Sequence, residues 1–383
     1  MMRVAPVCVA VIGMVACGRP DVAAPQRAEV VYGADDRLEV FAHPSATHRA
    51  LAESAIAIQM DEGWLDRTDP MDVRITFTRT LGEAYMLCPG EPFAEQIDPG
   101  TCSGTLIDEQ HLITAGHCVD EAADCGGSKV WVFGFRYAAA GTLVTLTEDD
   151  VYGCARVLGF LNSPFVDHAV LELDRPVAGH VPAPLRPIAG SLPDGTPVTM
   201  IGHPNGIPMK IDSGGVVTWS SPDALFLRAT VDAFAGSSGA GVFDTDGNLV
   251  AVLYGGATDY VDRAGCNVVA VIDPPPTIGG EGLTYLRPAL EAFCESPDVT
   301  STVCLDLPDA GPAVDAGDRR DGGGAATDAG PPAGPSEGDG GCSCRTVPGA
   351  SRSGAILAIA LLALVFRRRG RKPRRLPRGQ AST

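Results

Sequence analysis

Three things are scarce in this 383-residue chain, and each scarcity excludes something. Positive charge is scarce: 29 Lys and Arg stand against 47 Asp and Glu, a formal net charge of -18. Phosphate binding is driven by clustered cations, so a nucleic-acid partner is excluded. Long hydrophobic runs are also scarce. The longest candidate, Ala355 to Phe366, has twelve residues, short of the roughly 20 a spanning helix needs. Finally, no Cys-x-x-Cys pair recurs with zinc spacing, so the 12 cysteines read as a disulfide framework rather than metal ligands.

What is present divides the chain into four parts. Residues 1–16 form a secretory signal, with Arg3 ahead of an apolar stretch from Val4 to Val15 and small residues before Cys17. Met14-Val15-Ala16-Cys17 resembles a bacterial lipobox, which would make Cys17 a lipidated N-terminus; plain cleavage is the alternative. From 28 to 295, short β-rich apolar runs alternate with Gly, Pro, Asn and Asp turns, as at Val130 to Phe135, Ala169 to Leu173 and Val198 to Gly202. Helical periodicity is scarce there, apart from Leu286 to Phe293 with Pro288 in its first turn, so the pattern predicts an all-β sandwich or barrel.

Residues 296–341 are rich in Asp, Gly, Pro, Ala and Ser and cannot build a core. They read as a stalk spanning roughly 35–40 Å. Residues 342–383 then carry Cys342 and Cys344, the apolar segment 355–366 and an Arg-rich end. That order resembles the MYXO-CTERM sorting signal, which implies a sorting protease and display at the cell surface, outer-membrane associated; the alternative is a weak membrane anchor or release.

The chemistry is carried by three motifs. Cys102-Ser103-Gly104-Thr105-Leu106 precedes Thr114-Ala115-Gly116-His117-Cys118, and Gly236-Ser237-Ser238-Gly239-Ala240-Gly241 lies far downstream. Between them runs Asp167-His168-Ala169-Val170-Leu171-Glu172-Leu173, with Asp174 as the weaker acid because Asp174-Arg175-Pro176 has the composition of a turn. An alcohol becomes a useful nucleophile only when an imidazole can take its proton, and a buried carboxylate holds that imidazole in the right tautomer. These motifs resemble the chymotrypsin/trypsin-like serine peptidases, closest to the bacterial glutamyl-endopeptidase-related branch in Asp232 to Gly239, Ile201-Gly202-His203-Pro204 and Val31 to Arg37.

The resemblance implies two six-stranded β-barrels with a short C-terminal helix. It further implies His117 as base, Asp167 as its orienting acid, Ser238 as nucleophile, and the N–H groups of Gly236 and Ser238 as an oxyanion hole. It also implies a Cys102–Cys118 disulfide, a protein or peptide substrate, and no cofactor or metal. The order His, Asp, Ser excludes an α/β-hydrolase, since no histidine follows Ser238. Ser237 stands where digestive trypsins have Asp, so activation by a salt bridge to a new N-terminus is not expected.

Other positions stay open. Asp232 is either a charge in the specificity pocket or a structural loop aspartate. Tyr254-Gly255-Gly256 either pairs with substrate backbone or ends a strand, and His203 is either a pocket or a structural residue. Asp244 to Asn248 resembles a calcium loop but fits a hairpin turn better. Cys88, Cys125, Cys154, Cys266, Cys294 and Cys304 allow 15 pairings. Two further functions compete with an endopeptidase: a catalytically inactive surface binding module on the same fold, and an esterase.

Overall fold

A computed structural model describes residues 30–305, apart from 120–124, 126, 187–189, 274 and 278. The signal segment 1–16, Cys17, the stalk beyond 305 and the sorting segment 342–383 with its apolar run 355–366 all lie outside the described residues.

The expected all-β architecture is present as two seven-stranded antiparallel sheets. The first comprises β2 (Ile56–Asp61), β3 (Gly100–Leu106), β4 (His111–Thr114), β5 (Lys129–Phe133), β6 (Val151–Tyr152), β7 (Cys154–Asn162) and β8 (Asp167–Leu173), in the order β6-β5-β2-β3-β4-β8-β7. The second comprises β1 (Arg37–Glu39), β9 (Pro197–Gly202), β10 (Lys210–Ser220), β11 (Phe226–Ala229), β12 (Gly241–Phe243), β13 (Leu249–Gly255) and β14 (Glu281–Tyr285), in the order β9-β12-β13-β14-β11-β10-β1. A further pairing of β9 with β10 closes six of these into a barrel, and β1 adds to β10 from outside.

The first sheet departs in detail from the six-stranded expectation. Among the described residues nothing pairs its edges β6 and β7, so it is a half-barrel of seven strands. Those two edges are consecutive in the chain with only Gly153 between them, and Gly153 O accepts from Asp174 N–H at 2.9 Å. The curl is therefore held by covalent continuity and a turn bond instead of a ladder.

Each sheet turns alternate apolar side chains inward, as period-two strands must. Trp131, Phe133, Leu112 and Leu171 fill the half-barrel, and Met200, Val217, Leu227 and Leu253 fill the barrel. A third cluster joins the two, packing Ile56, Ile113 and Val170 against Ile201, Ile211 and Phe243. Helix α3 (Leu286–Cys294) seats Leu286, Leu290 and Phe293 in that shared core, as its spacing predicts. Helices α1 (Ala46–Ser54) and α2 (Leu81–Tyr85) were not foreseen; both are local devices, capped by Ser45 and by a Thr80–Glu83 capping box.

Disulfides join Cys102 to Cys118, as the resemblance implied, and Cys88 to Cys266, Cys125 to Cys154 and Cys294 to Cys304. The last ties Thr302–Leu305 back to α3. Asp244 to Asn248 is the β12–β13 hairpin turn: Asp244 accepts from the N–H groups of Asp246 and Asn248 and pairs with Arg186 at 2.8 Å.

Candidate active site

The two sheets present their functional groups across a shared seam. His117 lies in a 3₁₀ turn, Gly116–Val119, just after β4. Asp167 opens β8, delivered by a tight turn in which Ser163 N–H donates to Val166 O at 3.0 Å. Its carboxylate is buried and takes both ends of the histidine: Oδ1 accepts the His117 backbone N–H at 3.1 Å, and Oδ2 lies 2.8 Å from Nδ1. Gly116 makes room, since a Cβ there would fall 2.9 Å from Asp167 Oδ1 and 2.4 Å from Leu161 O. Asp174, the weaker acid candidate, forms an exposed pair with Arg175 in the turn that follows.

Ser238 comes from the other sheet, in the loop between β11 and β12. Gly236 (φ +89°) and Gly239 (φ +84°) occupy left-handed backbone regions that side chains disfavour. Neither position has space for a side chain: a Cβ on Gly239 would sit 2.2 Å from Ser103 O, and one on Gly236 would sit 2.6 Å from Gly206 N. Among the described residues, neither Gly236 N–H nor Ser238 N–H donates to a protein acceptor. Among the same residues the Ser238 side chain makes no hydrogen bond, to His117 or to any other group, and the residue retains 8% exposure. A nucleophile–base bond is commonly loose before substrate binds. Ser237, in the position where trypsins hold an acid, is wholly buried, and its hydroxyl accepts from Phe234 N–H at 3.4 Å.

Two residues that sequence did not single out hold this seam. Ser103 N–H donates to Ser238 O at 2.8 Å, and its hydroxyl donates to Gly236 O while accepting from His203 N–H, both at 2.9 Å. The disulfide partner of its neighbour, Cys118, places Sγ 3.7 Å from Ser238 O. Thr284 in β14 clamps the Asp167 backbone, with its hydroxyl accepting from Asp167 N–H at 3.0 Å and donating to Asp167 O at 3.1 Å. A single Ser or Thr inside a strand motif carries no sequence signal of such a contact.

Asp232 is committed to contacts within the fold. The residue is 2% exposed, and both carboxyl oxygens are spent on the N-terminal segment: Oδ1 accepts from Tyr32 N–H at 2.8 Å and Oδ2 from Asp36 N–H at 2.9 Å. Its own N–H donates to Asp212 Oδ2 at 2.8 Å. Burial, then the Asp212 charge, push the Asp232 carboxyl up to about 8, and burial pushes Asp212 up to about 6. Asp232 is thus the structural anchor of Tyr32 to Arg37. His203 is structural too: fully buried, with Nδ1 3.0 Å from Ile207 O and its ring stacked on Phe135, it is pushed down to about 3 by desolvation. Tyr254 and Gly255 end β13 beside β14 and Gly256 follows them, with Tyr254 buried and Gly256 partly exposed.

Residues 102–252 match the family model described as the trypsin-like peptidase domain. That stretch is similar to the trypsin-like peptidase domain. The match runs from the first strand motif through His117, Asp167 and Ser238 to β13. A solved structure, that of a Glu endopeptidase in complex with MPD, is similar at 18% identity, covering 69% of this chain and 97% of that one, with a TM-score of 0.41. No curated protein matches the chain. A peptidase domain implies peptide or protein substrates.

Proposed function

We propose that this chain is an exported serine endopeptidase in which Ser238 attacks a peptide carbonyl. The observation that carries this is the pairing of buried Asp167 Oδ2 with Nδ1 of His117, next in sequence to Cys118, whose Sγ lies 3.7 Å from Ser238 O in a glycine-bracketed loop with unspent Gly236 and Ser238 N–H groups. Asp167 keeps the proton on Nδ1, which leaves Nε2 free to take the Ser238 proton as the Oγ–C bond forms. The tetrahedral oxyanion gathers its hydrogen bonds from Gly236 and Ser238 N–H, donors that each contribute about 10²–10³ in turnover in such sites. His117 then returns the proton to the leaving amine, and water repeats the cycle on the acyl-enzyme.

The four disulfides support export into an oxidising compartment. Display on a bacterial surface through the C-terminal segment belongs to the same proposal. The test is fluorophosphonate labelling of the full chain beside Ser238→Ala, with peptide mapping and a peptide digest. Labelling at Ser238 that is lost in the variant, together with peptide turnover, is expected. A folded, oxidised protein that takes no label would overturn this function in favour of an inactive binding module, and label with ester but no peptide turnover would make it an esterase.

A further inference from the structure

Gly236 N–H, one donor of the oxyanion hole, belongs to the peptide between Ala235 and Gly236. Among the described residues neither that N–H nor Ala235 O has a hydrogen-bond partner. Ala235 is exposed and Gly236 partly exposed, so packing does not enclose this peptide. Turning it over needs only ψ of Ala235 and φ of Gly236 to change together, and glycine opposes such a change least. Its orientation therefore depends on the two peptides that flank it.

The following peptide is held from the half-barrel: Gly236 O accepts from the Ser103 hydroxyl at 2.9 Å, and Ser237 N–H donates to Phe234 O at 2.8 Å. That second bond also holds the carbonyl of the preceding peptide, whose N–H, on Ala235, donates to Asp259 Oδ2 at 3.1 Å. The same oxygen accepts from Asn205 Nδ2 at 3.3 Å. Asn205 lies in the turn Pro204–Gly206, against which Gly236 is flush: a Cβ on Gly236 would fall 3.1 Å from Asn205 C. One carboxylate oxygen thus ties the peptide before the hole to the turn that supports it.

Asp259 is itself fixed. It is buried, and its carbonyl accepts from Ala270 N–H at 2.8 Å. The hairpin that follows pairs Tyr260–Asp262 with Asn267–Val269, and Cys266 between those strands is joined to Cys88. The Tyr260 hydroxyl donates to Asn205 Oδ1 at 2.7 Å, and its ring lies 4.9 Å from that of Tyr85. Burial pushes the Asp259 carboxyl up to about 6, which leaves it ionised at neutral pH and makes its bonds to Ala235 and Asn205 charge-assisted. From Ala233 to Ser238 the loop has no carboxylate of its own, Ser237 standing where trypsins hold one.

We propose that Asp259, supplied by a separate loop, is a positioning residue of this peptidase: with Asn205 it holds Ala235 N–H so that Gly236 N–H faces the developing oxyanion. It touches no reacting atom and acts through the loop alone. The inference rests on the peptidase function proposed above and adds a residue to it.

The test follows kcat, KM, a thermal melt and inhibition by a peptide boronate, whose tetrahedral adduct at Ser238 fills the oxyanion hole, all on the full chain. In Asp259→Ala, kcat should fall by about 10–10²-fold, approaching the 10²–10³ that loss of an oxyanion donor costs, while KM stays within about threefold. Boronate inhibition should weaken in parallel with kcat. Asp259→Asn should recover most of the turnover, because an amide oxygen can still accept from Ala235 N–H. Asn205→Gly keeps the left-handed backbone and should lose about 3–10-fold in kcat, the scale of one hydrogen bond. A merely structural role would lower the melt without separating kcat from KM or weakening the boronate. A folded Asp259→Ala with wild-type kcat overturns the inference while leaving Ser238 labelling intact. Should that variant not fold, wild-type kcat in Asn205→Gly overturns it instead. A folded wild type that takes no fluorophosphonate defeats the peptidase function, and the positioning role with it.

Discussion

Replacing Asp167 by Asn separates a catalytic role from a structural one, because the geometry dictates which way the new amide turns. The carboxylate accepts two hydrogen bonds from His117, one at the backbone N–H and one at Nδ1. An amide has one acceptor and one donor end, so it can satisfy both contacts only by giving its oxygen to the backbone N–H and its NH₂ to Nδ1. That arrangement makes Nδ1 an acceptor and puts the imidazole proton on Nε2, the nitrogen that must receive the Ser238 proton. The opposite orientation keeps the productive tautomer but sets two donors face to face in a buried site, at a cost of about 1–3 kcal/mol. The unproductive form therefore dominates by roughly 10–10²-fold on that term alone. The expected result is a protein that folds with nearly unchanged thermal stability and whose turnover falls by about 10⁴, or about 5 kcal/mol of transition-state stabilisation. Ester turnover and the rate of fluorophosphonate labelling measure the loss, and a thermal melt checks the fold. A folded Asp167→Asn protein retaining more than about a tenth of wild-type turnover would refute the role of Asp167 as the group that sets the tautomer.

Two other outcomes follow from the same structure. Removing the Cys102–Cys118 disulfide as a double Ala variant opens a loop of 16 residues, which on the chain-entropy model costs about 3 kcal/mol; urea unfolding should show that loss, and an unchanged midpoint would mean that Ser103 and its bonds hold the seam by themselves. Stability should also carry two opposing dependences on pH. Asp212 and Asp232 have folded values raised to about 6 and about 8, so the fold holds protons that the unfolded chain releases near pH 4, and their contribution is lost as pH rises through about 6 and then about 8. His203 is depressed to about 3, so its contribution is present above about 6.5 and lost as pH falls toward 3. Urea midpoints across roughly pH 4–9 check both arms: a midpoint that rises from about pH 6 to 9 contradicts the acid-pair assignment, and an acid-side slope unaltered in His203→Gln contradicts the other.

The sequence by itself determined what depends on neighbours along the chain. Alternating apolar residues specify strands whatever they pair with, Leu286 to Phe293 has helical spacing and becomes α3, and the turn composition of Asp244 to Asn248 becomes a hairpin. The Gly-x-Ser-Gly loop needs left-handed backbone at Gly236 and Gly239, and only glycine adopts it without strain, so its shape was legible before any tertiary contact. The Cys102–Cys118 disulfide was implied by the family resemblance and is present in the structure, its ends 16 residues apart.

Tertiary structure alone decided the fate of side chains whose partners are remote. Asp232 had the right spacing from Ser238 for a pocket charge, yet Tyr32 and Asp36, 200 and 196 residues away, take both of its oxygens. Ser103 and Thr284 became important only when two sheets closed over them, and the pairing of Cys88 with Cys266 spans 178 residues. The physical reason is that local conformation is set by sterics and propensity within a few residues, whereas a buried polar group takes whichever donor the closed fold brings within about 3 Å, and no spacing along the chain encodes that distance.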